Sequence, residues 1–272
     1  MISVIAPCLN EEKHLRVFLD SLLHQTFKDF EVIIVDGGSI DRSLWILKEY
    51  FNKLDMKLVV DKTRNLGYIR NLGASHAHRE IMFQCNTDNY LEPQFLEKLI
   101  QCYRTQPKLL SVSGRVYPLG TSVIAHVSYQ LFDLLRFAFT CAPMPVKKYR
   151  PSGSFMSMRK FVWQDVDGYP PVPVNEDGLM GGKIERYVKQ HGLTHKSVAF
   201  KLNMYVGHYV KKFESMGGIH ALLFYLYTLT NFAPMLKPLL KPIEYNASLV
   251  FRGKQPQRLT CKQLVRGFWN WL

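Results

Sequence analysis

The most reactive polar groups of this sequence stand at the ends of apolar runs. Asn86-Thr87-Asp88 directly follows the run Ile81 to Cys85. A carboxylate at Asp88 can ligate Mg²⁺ or Mn²⁺, ions held by one or two carboxylates together with a substrate's phosphates. Asn86 offers a weaker carbonyl ligand, or a hydrogen bond to ribose or phosphate. The tripeptide also reads as a polar turn, because Asn and Asp are common turn residues. Asp36 ends Phe30 to Val35 and precedes Gly37 and Gly38. Its carboxylate can accept hydrogen bonds from a nucleoside base or ribose, and the glycines allow close approach or positive φ. The plainer reading is a strand-to-helix turn with Asp41 or Ser39 as helix N-cap. Glu176-Asp177 opens a helical pattern after Pro170-Pro171-Val172-Pro173. Acidic residues suit the dipole at a helix start, and a carboxylate there can also act as general base. His208 follows a strand-like run and precedes Lys211 and Lys212. A neutral imidazole can ligate a metal, a charged one can meet phosphate, and a structural role stays open.

The elements that must position these groups alternate. Apolar runs at Ile2 to Ala6, Phe30 to Val35, Lys57 to Val60 and Ile81 to Cys85 read as strands. Between them, Glu12 to Leu23, a stretch ending near Phe51, and Leu66 to Ala77 have helical spacing. Continuous apolar strands between amphipathic helices mean a mostly parallel sheet covered on both faces, an α/β doubly wound fold. In such sheets ligands bind beyond the carboxyl ends of the strands. That places Asn10, Glu11, Asp36, Ser39, Asn86 and Asp88 along one edge. The second half is less regular. Leu109 to Tyr117, Ser152 to Met158, Val198 to Leu202 and Met204 to Val206 read as strands, and Glu176 to Lys189 as a helix.

Composition narrows the classes. The chain has 272 residues, 47% hydrophobic and 21% charged, which supports a core of ordinary size. Its net charge of +13 attracts polyanions: nucleic acid, phosphorylated small molecules or an anionic membrane. The basic residues are dispersed and no nucleic-acid-binding motif occurs, so nucleic acid is not expected as a partner. Five widely spaced cysteines without C-x-x-C argue against a disulfide framework or a zinc site, and for reduced thiols in the cytoplasm. The first residues lack a basic leader and a long apolar run, so no targeting peptide is expected there. No G-x-G-x-x-G or phosphate-binding G-x-x-x-x-G-K-[ST] occurs. A sugar-nucleotide pyrophosphorylase would need a Gly-rich basic loop after the first strand, and here that loop is the acidic Pro7-Cys-Leu-Asn-Glu-Glu.

An ordered set of motifs then resembles family 2 glycosyltransferases: Ser3 to Glu12, Val32 to Asp41, Arg64-Asn65-Leu66-Gly67 to Arg70-Asn71-Leu-Gly-Ala74, Asn86-Thr87-Asp88, Gly153, and Glu176-Asp177. The likeness covers roughly residues 2 to 210. It implies a GT-A fold, a nucleotide-sugar donor (often UDP-linked) and inverting hexosyl transfer. It also implies roles. Pro7, Asn10, Glu11 and Asp36 would hold the nucleoside, with Ser39 and Thr87 on the same donor side. Arg70 would lie near the diphosphate or the base. Asp88 would be the main ligand of Mn²⁺ or Mg²⁺, with His208 completing the metal or diphosphate site. Asp177 would be the catalytic base, with Gly153 and Glu176 on the acceptor side. The family's D-x-D has Asn86 at its first position here, which keeps hydrogen bonding and removes a charge. A donor-binding protein weakened in catalysis is therefore the alternative, against which Asp88 and Asp177 both stand.

The resemblance divides the chain into a catalytic domain over 1–210 and a basic, aromatic-rich extension over 211–272. Within the domain, the nucleotide-sugar half would run to about 118 and the acceptor half over 119–210. Val123 to Phe139 and Ile219 to Leu240 are apolar and aromatic, but the later run is interrupted by Pro234, Lys237 and Pro238. Such segments suit a membrane interface better than a span. Peripheral membrane contact, at a cytoplasmic face, and a glycan or lipid-linked acceptor are the expected partners.

Overall fold

The computed structural model describes residues 1–63, 65–120, 123–142, 148–172 and 175–209. The expected extension over 211–272, the run Ile219 to Leu240 and Arg64 lie outside the described residues. Strands β1 (Ile2–Cys8), β2 (Phe30–Asp36), β3 (Met56–Val60) and β4 (Ile81–Gln84) are parallel neighbours. They are joined by α1 (Leu15–Leu23), α2 (Ser43–Lys48) and α3 (Leu66–Ser75). Then come β5 (Asn89–Tyr90), α4 (Phe95–Thr105), β6 (Ser111–Leu119), α5 (Val123–Cys141), β7 (Met156–Arg159), α6 (Lys160–Asp165), α7 (Glu176–Gln190) and β8 (Val198–Tyr209). All the strands join one sheet in the order β3-β2-β1-β4-β7-β6-β8-β5. The first half is wholly parallel, as the apolar runs predict. The second half adds antiparallel pairings of β4 with β7, β6 with β7 and β5 with β8.

Alternation along the central strands sorts side chains to the two faces. Val4, Ala6, Val32 and Ile34 pack with Leu15, Phe18, Leu19 and Leu22 of α1 and with Phe95 and Leu99 of α4. Ile5, Ile33 and Val35 pack with Ile69 and Ala74 of α3 and with Met180, Ile184 and Val188 of α7. Both faces are covered, so these strands contain no polar alternation.

Several boundaries differ from the sequence expectation. Helix α1 starts at Leu15 rather than Glu12, because Asn10 takes a positive φ of 54° and the chain turns before entering the helix. The expected strand from Ser152 is a strand only from Met156, since Ser152 and Phe155 close a turn on each other. The two late runs form one strand, β8, whose register on β6 shifts between Gly114 and Arg115. Helices α4 and α6 go beyond the expectation, although Phe95, Leu99, Ile100 and Tyr103 carry helical spacing.

Helix α3 is fastened to the chain that leads into α7. Asn65 caps α3 by accepting from the Tyr68 N–H at 3.1 Å, and its Nδ2 donates to the Pro171 carbonyl at 3.0 Å. Gly67 N–H donates to the Val172 carbonyl at 3.2 Å. A Cβ on Gly67 would sit 2.0 Å from the Pro170 carbonyl oxygen. Backbone cannot yield there as a side-chain tip can. Gly67→Ala is therefore expected to destabilise the protein by about 1–3 kcal/mol, measured by denaturant unfolding; unchanged stability would rule out this contact.

Candidate functional site

The carboxyl ends of β1 and β2 are laced together. Asn10 N–H donates to Ser39 Oγ at 2.9 Å, and Ile40 N–H donates to Asn10 Oδ1 at 2.9 Å. Glu11 N–H donates to Ser43 Oγ at 2.7 Å, and Glu12 N–H donates to Asp41 Oδ2 at 3.0 Å. Asp41 also accepts from Ser43 N–H just before α2, whose N-cap position is Arg42 rather than the expected Asp41 or Ser39. Asp36 differs from expectation. It is fully buried, and both its oxygens accept from Ser39 N–H at 2.9 Å. Its carboxylate shapes the turn and does not face the edge, where Asn10 is exposed and Pro7, Glu11 and Ser39 are half-buried. Burial pushes the Cys8 thiol at this edge up to about 12, helped by the Asp36 charge, so Cys8 is no nucleophile.

Asn86, Thr87 and Asp88 leave β4 in three directions. Thr87 is buried, and its hydroxyl donates to the Pro7 carbonyl at 3.0 Å, tying the end of β4 to that of β1. Asn86 turns towards the second half of the chain. Its Oδ1 accepts from Arg70 Nη2 at 2.9 Å and its Nδ2 donates to Ser154 Oγ at 3.1 Å. Asp88 meets His208, with Oδ1 and Nδ1 3.2 Å apart. The pairing of β5 with β8 sets this approach, because it places Asn89 opposite His208. Asn89 Oδ1 also lies 3.1 Å from His208 Nδ1 and orients the ring. A carboxylate beside an imidazole suits a divalent cation of the Mn²⁺ type. Among the described residues no group of three or more His, Cys, Asp or Glu converges as a metal site. Asp88 and His208 are the side chains here that could serve such an ion, which takes its other ligands from phosphate and water.

Arg70 stands behind this edge, only 1% exposed. It is expected to lie near the diphosphate or the base, and its guanidinium is enclosed by protein. Nε donates to Glu176 Oε1 at 3.0 Å, Nη1 to the Cys85 carbonyl at 3.3 Å, and Nη2 to Asn86 and to the Gly153 carbonyl at 3.1 Å. Burial opposes the Arg70 charge, yet the Glu176 carboxylate holds its pKa above the ordinary value. Glu176 is buried too, and burial followed by the Asp177 charge pushes it up against the pull of Arg70. Asp177, beside it, is half-buried. Its Oδ2 accepts from Gly153 N–H at 2.6 Å and its Oδ1 from Gly178 N–H at 2.7 Å. Gly153 has no room for a side chain, since a Cβ would lie 2.7 Å from Arg70 Nη2.

A continuous path therefore joins the two ends of the site. It runs from His208 to Asn89, from Asn89 Nδ2 to the Ser154 carbonyl at 2.7 Å, through Asn86 and Arg70 to Gly153, and so to Asp177. Asn89 and Ser154 are the members that sequence reasoning missed. Each directly follows a singled-out residue, but nothing in its spacing announces a partner so distant in the chain.

Comparison with known proteins bears on the family and the fold. The model of Glycosyl transferase family 2 matches residues 3–165. A poly(ribitol-phosphate) beta-glucosyltransferase of Bacillus spizizenii is 31% identical over 158 residues, covering 54% of this chain and 25% of that protein. A Methanococcus voltae enzyme named dolichyl N-acetyl-alpha-D-glucosaminyl phosphate 3-beta-D-2,3-diacetamido-2,3-dideoxy-beta-D-glucuronosyltransferase is 27% identical over 141 residues, covering 48% of this chain and 44% of its own. The chain thus spans less than half the length of these relatives. Among solved structures, Staphylococcus aureus TarS 1–349 in complex with UDP-GlcNAc superposes with a TM-score of 0.58 at 18% identity, over 99% of this chain and 80% of that one. The Pyrobaculum calidifontis mannosyltransferase PcManGT with GDP-Man and Mn²⁺ gives 0.64 at 18%, over 99% and 74%. These two likenesses establish the GT-A fold.

Removing one member of a buried ion pair leaves the other charge uncompensated. Arg70→Met is expected to cost about 3–5 kcal/mol of stability, and Arg70→Met combined with Glu176→Gln to recover much of it. Urea unfolding measures both. A loss within about 0.5 kcal/mol, the range of an ordinary surface change, would contradict the buried pair.

Proposed function

The chain belongs to glycosyl transferase family 2, and from that premise we propose that it transfers a hexose, with inversion, from a UDP-linked donor to a hydroxyl on a glycan or lipid-linked acceptor. Residues 1–118 would hold the donor and 119–210 the acceptor, with 211–272 as a basic extension. The observation that carries the reading is the Asp88–His208 approach at 3.2 Å on the edge where Gly153 holds Asp177. Pro7, Asn10, Glu11 and Ser39 line the open part of that edge and would receive the nucleoside. Asp36 and Thr87 support them from beneath. Asp88 and His208 would hold Mn²⁺ or Mg²⁺, which when bound neutralises the departing diphosphate.

Asp177 supplies the base. Two backbone N–H groups fix its oxygens. It takes the proton of the acceptor hydroxyl as that oxygen attacks the anomeric carbon from the face opposite the leaving group. The bond from the anomeric carbon to the diphosphate oxygen breaks, and its electron pair leaves on the nucleoside diphosphate. Glu176 has no part in proton transfer on this reading, because Arg70 engages it. Asn86 is likewise held by Arg70 and Ser154 and serves to orient the edge. The free described cysteines, Cys8, Cys85, Cys102 and Cys141, fit work on the reducing, cytoplasmic side of a membrane. Support for a UDP donor and for polymer or lipid-linked acceptors comes from what the relatives and neighbours are named for.

Purified protein given a panel of nucleotide sugars should release one nucleoside diphosphate with Mn²⁺ or Mg²⁺ and stop with EDTA. Asp177→Asn should lower turnover by about 10²–10⁴-fold while UDP binding is kept. Metal-dependent UDP binding without turnover of any donor, with acceptors supplied, would leave only a donor-binding protein. Unchanged turnover in Asp177→Asn would remove the base assignment.

A further inference from the structure

Helix α5 turns its charged residues inward and its apolar residues outward. Asp133 and Arg136 are 4% and 1% exposed. Val116 N–H donates to Asp133 Oδ2 at 2.9 Å, and Arg136 Nη2 donates to the Gly114 carbonyl at 3.3 Å and pairs with Asp133. On the opposite side Val123, Val127, Leu131 and Leu134 are 74%, 62%, 54% and 58% exposed. Ala138 and Cys141 continue the same line. Spacings of four and three make this a single stripe along the helix, about 28 Å long at 1.5 Å per residue. No Asp, Glu, Lys or Arg interrupts it. A helix facing only water has the reverse arrangement, and a continuous exposed apolar surface marks an interaction site.

Basic sequence adjoins both ends of this stripe. Leu119, just before α5, pairs with Tyr209 on β8. Directly after Tyr209 the sequence enters 210–272, where nine Lys and Arg face two Glu, so this stretch carries +7 of the net +13. At the other end Lys148 N–H donates to the Phe139 carbonyl at 3.0 Å, which holds Lys148 beside the last turns of α5. An apolar stripe that adjoins basic sequence at both ends is complementary to an anionic bilayer surface, with apolar side chains at the acyl boundary and cations among head groups. Among the described residues no helix is long and apolar enough to cross a membrane, so the contact is interfacial. Helix α5 also reaches the site, with the Tyr129 ring 6.2 Å from that of His208.

We propose that α5 docks flat on an anionic membrane through Val123, Val127, Leu131 and Leu134 and so presents the Asp88–His208 edge to acceptors held in that membrane. The second clause rests on the transfer reaction proposed above, whereas the docking does not. The test is flotation of the full chain with phosphatidylcholine vesicles and with phosphatidylcholine–phosphatidylglycerol vesicles. Wild-type protein should float with the anionic vesicles, less so at high salt. Leu131→Glu with Leu134→Glu should weaken that binding by about tenfold or more and leave thermal stability and donor hydrolysis in solution unchanged. Four results would each overturn the docking: wild type that stays unbound, a variant that floats as well as wild type, a dimer that the variant dissociates, or a variant of lowered melting temperature, which would mean the stripe is covered by this chain itself. Flotation without any donor turnover would instead refute the proposed reaction and leave the docking in place.

Discussion

A guanidinium enclosed by protein needs a counter-charge and several acceptors in fixed places, or the fold does not hold it. Arg70 imposes that demand on nearly every part of this site. Its partners are Glu176 at the start of α7, the Cys85 carbonyl at the end of β4, Asn86 just beyond it and the Gly153 carbonyl in the turn before β7. These segments are far apart in the chain and can satisfy Arg70 only together. The rest of α3 serves the same end. Asn71 accepts from Trp163 Nε1 and Tyr169 N–H and donates to the Tyr169 carbonyl, which fixes the approach to α7. The helix is thus a clamp on the segment that carries Asp177, and the precision of that carboxylate is inherited from a charge it never touches.

The edge formed by the ends of β1 and β2 is organised by a different means. Among the described residues no buried charge pair stands beneath it. Serine hydroxyls, Asp36, Asp41 and backbone N–H groups of two short loops satisfy one another. Such loops would otherwise present unpaired groups to solvent and wander among conformations. Laced together, they keep Asn10 exposed at a set height above the sheet. Geometry of this kind is what a polar ligand needs from its first contacts, since less ordering is left to be done when it arrives.

The central sheet was legible because physics repeats along it. Ile5 against Val4 and Ala6, and Ile33 against Val32 and Ile34, alternate between two covered faces, and that pattern marks strands without any partner being known. The edge position of Asn10, Ser39, Asn86 and Asp88 followed from chain direction alone. Roles within the edge were less legible. Asp36 and Arg70 look like ligand-binding groups in sequence, yet each is buried by partners that no local spacing predicts. Asn89 and Ser154 are silent for the same reason. The run through β8 was divided in two because the register shift opposite Gly114 breaks its alternation. The residues singled out Asp177 and His208, family resemblance narrowed their roles, and the structure supplied what holds them.

The pairing that brings His208 to Asp88 has a temporal side. β5 contributes two residues, and its partner β8 is the last described strand. The earlier strands can pair as they are made, but Asp88 acquires its imidazole only after the chain has been synthesised through Tyr209 and β8 has slotted between β6 and β5. Contacts of such long sequence separation form late in folding. A nascent or truncated chain that lacks this strand carries the carboxylate without its companion. The Asp88–His208 approach thereby becomes a property of a chain folded through β8, and the order of synthesis itself withholds it until the sheet around it is closed.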